Sequence, residues 1–246
     1  MRTSNPALSD KAFDVGYRAS GSEAMTINGA VNKTGILVCL LWVAAIFTWE
    51  KAFAAENPAE LYPWIIGGSI LGLIVAMVTV FKKTAAPITA PIYAVVEGLV
   101  LGVLSAIFEM MYPGIVFQAV LLTFGVLFAL LFAYKTGVIK ATENFKLGVA
   151  AATGGIFVVY MLSLVLGFFG VSIPLIHESG IVGIGFSLFV VVIAALNLVL
   201  DFDFIEKGAE RGAPKYLEWY AAFGLLVTLV WLYVELLRLL SKLRSR

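Results

Sequence analysis

Glu97, Asp201, Asp203 and Glu235 stand within or at the ends of long apolar runs. A charged side chain there costs roughly 2.5–3.5 kcal/mol on insertion scales. A chain that keeps such residues must pair them or turn them toward water, so chemistry is expected at these positions before any others. Glu97 lies in Tyr93-Ala94-Val95-Val96-Glu97-Gly98, near the middle of its run. It reads either as a working carboxyl or as a structural one bonded to a neighbouring backbone carbonyl. Asp201 and Asp203 close the run Asn197-Leu198-Val199-Leu200-Asp201-Phe202-Asp203. At about 100° per residue they point to nearly opposite sides of a helix. Asn197, one turn back, shares the face of Asp201, which makes Asp201 the inward carboxyl. Asp203 stands four residues before Lys207, the favourable order for an ion pair at a helix end. Glu235 lies in Trp231-Leu232-Tyr233-Val234-Glu235, with Arg238 three residues on as a local counter-charge.

Two carboxyls on neighbouring helices, away from water, cannot both ionise cheaply and hold one proton between them. With one proton the pair clasps the helices; without it the carboxylates repel or bind a cation; fully protonated it loosens. Carboxylate oxygens are also the ligands that a hard cation such as Ca²⁺ takes. Asp201 and Glu235 are the candidate pair, both as pH sensors and as transient calcium ligands. No cofactor is expected, calcium entering only as a permeant ion.

The elements that carry these residues follow from composition. The 246 residues are 61% hydrophobic and 13% charged, with a mean hydropathy of +0.98. A soluble domain is nearer a quarter charged, so this chain is expected to have lipid as its solvent. At roughly 20 residues per crossing the apolar runs make about seven spans: 34–53, 61–81, 85–111, 115–134, 147–169, 181–204 and 216–240. Residues 1–33 read as a cytoplasmic tail with one short interfacial helix, 34–240 as the membrane domain and 241–246 as a basic tail. Pro87 and Pro91 fall in the first turns of span three, and Pro113-Gly114 makes a turn into span four. The loop 170–180 holds the one histidine, His177, and 205–215 is a charged loop. Gly68 with Gly72, Gly98 with Gly102 and Ala151 with Gly155 are small residues four apart, the spacing at which helix backbones approach in lipid.

With the N-terminus inside, the tail and the loops after spans two, four and six hold twelve of the seventeen basic residues, while the other three loops hold only Lys51. This positive-inside pattern places the N-terminus in the cytoplasm. The last run conflicts with it, because a seventh crossing carries Arg238, Lys242, Arg244 and Arg246 to the far side. A crossing is expected over a re-entrant loop, since about 25 residues exceed one bilayer thickness. The net charge of +1 excludes the basic footprint of a nucleic-acid binder. The lone Cys39 permits no intrachain disulfide.

At these residues the chain resembles the Bax inhibitor-1 family, the transmembrane Bax inhibitor motif proteins, in their bacterial branch. The acidic end of span six, with Ile205-Glu206-Lys207 and Glu210-Arg211-Gly212, is similar to the family's Asp-containing segment and charged loop. Leu232-Tyr233-Val234-Glu235-Leu236 resembles its final Leu-Tyr-x-Asp-Phe motif, with Glu in place of Asp. Glu97-Gly98-Leu99 with Gly102 resembles its mid-helix Glu-Gly motif, and Ser4-Asn5-Pro6-Ala7-Leu8 a bacterial subgroup. The resemblance implies an all-α integral membrane protein, a seven-transmembrane-helix bundle with the last helix central, in the bacterial cytoplasmic membrane. It implies a pH-sensitive calcium leak sensed by an acidic pair on the last two helices, carried here by Asp201 and Glu235. Asp203 stands where many relatives have an amide, the chain between the two acids is longer, and span two has no arginine to latch them.

Other functions are less well supplied. The last span has no lysine for a Schiff base, and no serine–histidine pair or His/Glu cluster serves a hydrolase, so no enzyme is expected. A non-conducting scaffold for other membrane proteins remains open, as does a proton-coupled transporter using Glu97 and Asp201, although no inverted repeat is evident.

Overall fold

The computed structural model describes residues 23–170 and 180–245. The expected helix within the first residues, the segment Ser4–Leu8 and the His177 loop lie outside them. Among the described residues there are seven helices long and apolar enough to cross a membrane, and no strand. They are α1 (Ile27–Ala54), α2 (Gly68–Phe81, which reaches crossing length together with the π turn Pro63–Gly67 before it), α3 (Ala86–Met111), α4 (Ile115–Lys135), α5 (Glu143–Phe168), α6 (Ile181–Glu210) and α7 (Leu217–Arg244). A short 3₁₀ turn and a single π turn lead into α2.

Local chemistry sets the ends. Thr26 caps α1, its hydroxyl accepting from the Gly29 N–H at 2.9 Å. That cap starts the helix seven residues ahead of the apolar run, because polar residues propagate a capped helix outside lipid. Proline in the first turn of α3 needs no N–H partner. Gly114 (φ 81°) makes the turn into α4. The expected charged loop after span six is largely helix: α6 runs on through Glu206, Lys207 and Glu210, good helix formers, until Gly212 (φ 63°) turns the chain. The last segment is one unbroken helix of 28 residues, about 42 Å long, so it does not turn back on itself. It is also the most enclosed, with 61% of its most apolar stretch buried against 11% for the second span.

The described residues divide into two compact units, 23–113 with 204–227, and 114–203 with 228–245. In the first, α1 and α3 approach so closely that a Cβ on Gly98 would overlap the Leu41 carbonyl and one on Gly102 the Ala45 carbonyl. Gly68 and Gly72 turn toward α3 in the same way, facing Val100 and Glu97. Thr48 seals the α1–α3 contact by donating to the Leu99 carbonyl at 2.8 Å. Thr48→Val, which keeps the shape and removes that bond, should cost about 1 kcal/mol, read as a modest fall in the Tm of the detergent-solubilised protein. Ala52, Leu61, Val103 and Ala106 form a buried cluster here, with Trp49 and Trp64 against it.

In the second unit Ile156, Val190 and Ile193 make the apolar core, with Tyr160, Phe186 and Trp231 packed on it. The Ala151 and Gly155 pair does not pack: Gly155 has nothing within 4 Å among the described residues. Thr153 is turned to α6, and residues two away on either side point about 160° from it, so that face of α5 opens outward.

Candidate functional site

Within the second unit, three polar side chains on α5 and three on α7 are spaced seven residues apart. On α5 these are Lys146, Thr153 and Tyr160; on α7 they are Thr228, Glu235 and Lys242. Seven residues fall about 20° short of two full turns, so each trio forms one stripe along its helix. Both stripes engage α6. The Lys146 ammonium pairs with Asp203 at 2.8 Å. The Asn197 amide donates to the Thr153 hydroxyl at 2.9 Å and to its own helix at Ile193. The Thr228 hydroxyl bonds to the Asp201 carboxylate. The Lys242 ammonium donates to the Ser187 hydroxyl at 2.8 Å and the Gly183 carbonyl at 3.1 Å.

Glu235 has partners from two helices. The Tyr160 hydroxyl donates to its Oε1 at 3.0 Å, and the Arg238 guanidinium to the same oxygen at 2.9 Å. The guanidinium also lies over the Tyr160 ring. The local counter-charge expected from sequence is therefore present, and α5 adds a cross-helix donor beside it.

Thr228 opposite Asp201 and Lys242 opposite Ser187 fix one antiparallel register between α6 and α7. On that register Glu235 falls level with Ala194, which is fully buried. Glu235 stands seven residues beyond Thr228, about 10 Å along the axis. Asp201 and Glu235 therefore occupy successive levels of one seam.

Both carboxyls are removed from solvent, Asp201 at 3% and Glu235 at 1% exposure. Each keeps one oxygen, Asp201 Oδ2 and Glu235 Oε2, with no hydrogen-bond partner among the described residues. Leaving a buried polar atom unsatisfied costs about 1–3 kcal/mol, and more for a charged group. Two such oxygens on one seam are places for a proton, a water or a cation. Among the described residues no three His, Cys, Asp or Glu side chains gather to hold a metal ion.

Asp203 sits at the end of the column with Lys146 from α5, a cross-helix partner that spacing along α6 alone could not supply. Glu97 belongs to the other unit. Its carboxyl lies over Gly72, 3.1 Å from where a Cβ would stand. The sequence-based candidates thus separate into three in one unit and one in the other.

The family model described as Bax inhibitor 1 like matches residues 5–245. The chain belongs to that family. It is an integral membrane protein of the Bax inhibitor 1-like kind, with seven apolar helices among the described residues. No curated protein and no solved structure matches it.

In this Bax inhibitor 1-like chain the motif residues have distinct settings. Glu97-Gly98-Leu99 lies on the face of α3 that meets α1 and α2. Ile205–Gly212 completes α6, and Leu232–Leu236 carries Glu235 into the seam.

A second buried carboxylate, Glu218, did not stand out in the sequence. It is fully buried in the first turn of α7. The Thr26 N–H (2.9 Å) and hydroxyl (3.0 Å) donate to Oε1, Lys33 binds Oε2, and Lys215 lies at 3.2 Å. Gly29 packs directly on the carboxylate. Glu218 thereby supplies negative charge to the N-terminus of α1 from another helix. Only its spacing from Lys215 was visible in the sequence.

Proposed function

We propose that this protein is a pH-sensitive cation leak, carrying calcium across its membrane under the control of Asp201 and Glu235. The observation that supports this most directly is the pair of buried carboxylate oxygens without partners on facing helices. The two acids stand at successive levels about 10 Å apart along the seam, so each is a separate station for a proton or a passing cation. Asp201 is met by Thr228. Glu235 is met by Tyr160 and Arg238, with Lys242 close enough to feel its charge. Protonating both acids removes the negative charge that draws a cation into the seam and releases Arg238 from Glu235. Deprotonating both leaves Glu235 paired with Arg238 and Asp201 as the carboxylate that a passing cation would meet.

The basic residues favour a cytoplasmic N-terminus, and the resemblance to the family's bacterial branch favours a bacterial cytoplasmic membrane. Of the charges at the far end of α7, that of Arg238 is balanced by Glu235, which lowers its weight against this orientation.

Purified protein in liposomes should pass calcium at a rate that changes across roughly pH 5 to pH 8. Asp201→Asn and Glu235→Gln should each flatten or shift that profile by several-fold in rate. Flux no greater than in empty liposomes at every pH would replace the leak with a non-conducting scaffold that binds other membrane proteins. Proton flux that depends on a transported substrate would instead favour a proton-coupled transporter.

A further inference from the structure

The last member of the α7 stripe is a buried lysine. Lys242 is 9% exposed. Its ammonium is held by a hydroxyl and a backbone carbonyl, Ser187 Oγ and Gly183 O. Neutral oxygens of this kind replace the hydration shell of a hard cation. The site stands on the same α6–α7 register as Asp201 with Thr228, two turns beyond Glu235 on the same face of α7. The Glu235 carboxylate is already paired with Arg238, so Lys242 does not neutralise a free acid there.

We propose that Lys242 is a tethered cation seated in the end of the conduction path, and that a permeating cation must displace it from the Ser187 and Gly183 oxygens. The proposal rests on the reading of this seam as a cation leak and adds a residue that sets its resting rate. A lysine stem lets the ammonium swing away without unfolding α7, since it carries four rotatable carbons and snorkels readily. The seat then offers the same oxygens to the entering ion.

Lys242→Gln keeps a hydrogen-bond donor and removes the charge; Lys242→Arg keeps the charge. In liposomes at neutral pH, Lys242→Gln should raise calcium flux roughly three- to ten-fold over wild type, as loss of a competing ion would, and Lys242→Arg should not. Access to the seat is a second measurement, made in a Cys39→Ala background with Ser187→Cys. A membrane-impermeant cationic thiol reagent should label that cysteine roughly ten-fold faster when Lys242→Gln is added, because neither charge nor side chain then guards it. Wild-type flux with no increase in Lys242→Gln overturns the seat and leaves the leak standing. Absence of flux in every variant, with labelling still accelerated, overturns the leak and keeps Lys242 as the occupant of a cation-accessible seat. Labelling that ignores Lys242 overturns the seat in either case. A poorly folded Lys242→Gln protein is replaced by Lys242→Met, judged by the same two measurements.

Discussion

Gly102→Val should lower the stability of the detergent-solubilised protein by roughly 3 kcal/mol or more, with a matching fall in Tm. A side chain at this position would overlap the Ala45 carbonyl and the Thr48 hydroxyl. One of these is backbone and cannot swing aside. The other is the group that donates to Leu99 across the α1–α3 contact. The valine therefore forces the two helices apart and removes the interhelical hydrogen bond in one step. Dispersion contacts between close backbones are what hold helices together in lipid, where burial offers no hydrophobic gain, so nothing compensates for the separation. Gly125→Val on α4 is the matched control. Nothing stands within 4 Å of its Cβ position among the described residues, so its cost should stay below about 1 kcal/mol. Equal losses at the two positions would mean that the close α1–α3 approach is not what stabilises this pair.

The contrast between Gly102 and Gly155 marks how far the sequence could be read. Both belong to small residues four apart, and the spacing alone predicts close packing for each. Only the setting of Thr153, drawn inward by Asn197, decides that Gly155 faces outward. Span number and rough limits were legible because hydropathy is a property of each run by itself. The start of α1 was not, since Thr26 and Glu218 together stabilise polar turns that carry no apolar signal. The same division holds for the candidate site. Asp201 and Glu235 were legible as charges out of place in apolar runs, and Asn197 as the neighbour on the face of Asp201. Lys146, Thr153, Tyr160 and Lys242 were not, because a threonine or a tyrosine in a span is unremarkable until a partner stands opposite it. Their seven-residue spacing was present in the sequence, but a heptad of mixed polar types gains meaning only when α6 is seen to answer it. The register linking Thr228 to Asp201 also alters the expected pair, placing Glu235 two turns further along the seam.

Removing the Glu218 carboxyl should have the largest effect among the charged residues. Glu218→Ala is expected to cost roughly 2–4 kcal/mol, the range for charge-assisted hydrogen bonds and a broken buried ion pair. The carboxylate is fully buried and binds four donors: the Thr26 N–H and hydroxyl, Lys33 and Lys215. Lys33 is itself 16% exposed, so without its partner it must either snorkel out or remain buried as an unpaired charge. Lys33→Met alone leaves Glu218 charged, with only the partly exposed Lys215 to balance it, and should cost nearly as much. The double variant should cost clearly less than the sum, because neither charge is then stranded. The loss is also local. The segment before α1 is pinned to the turn between α6 and α7 by the Met25 N–H on the Ala213 carbonyl and the Lys215 N–H on Glu23. With Glu218 gone those two bonds stand alone, so amide exchange at residues 25–30 should accelerate well ahead of that at the middle of α1. Uniform acceleration along α1 would show instead that Glu218 acts on the whole helix, and that the clasp at its first turn is incidental.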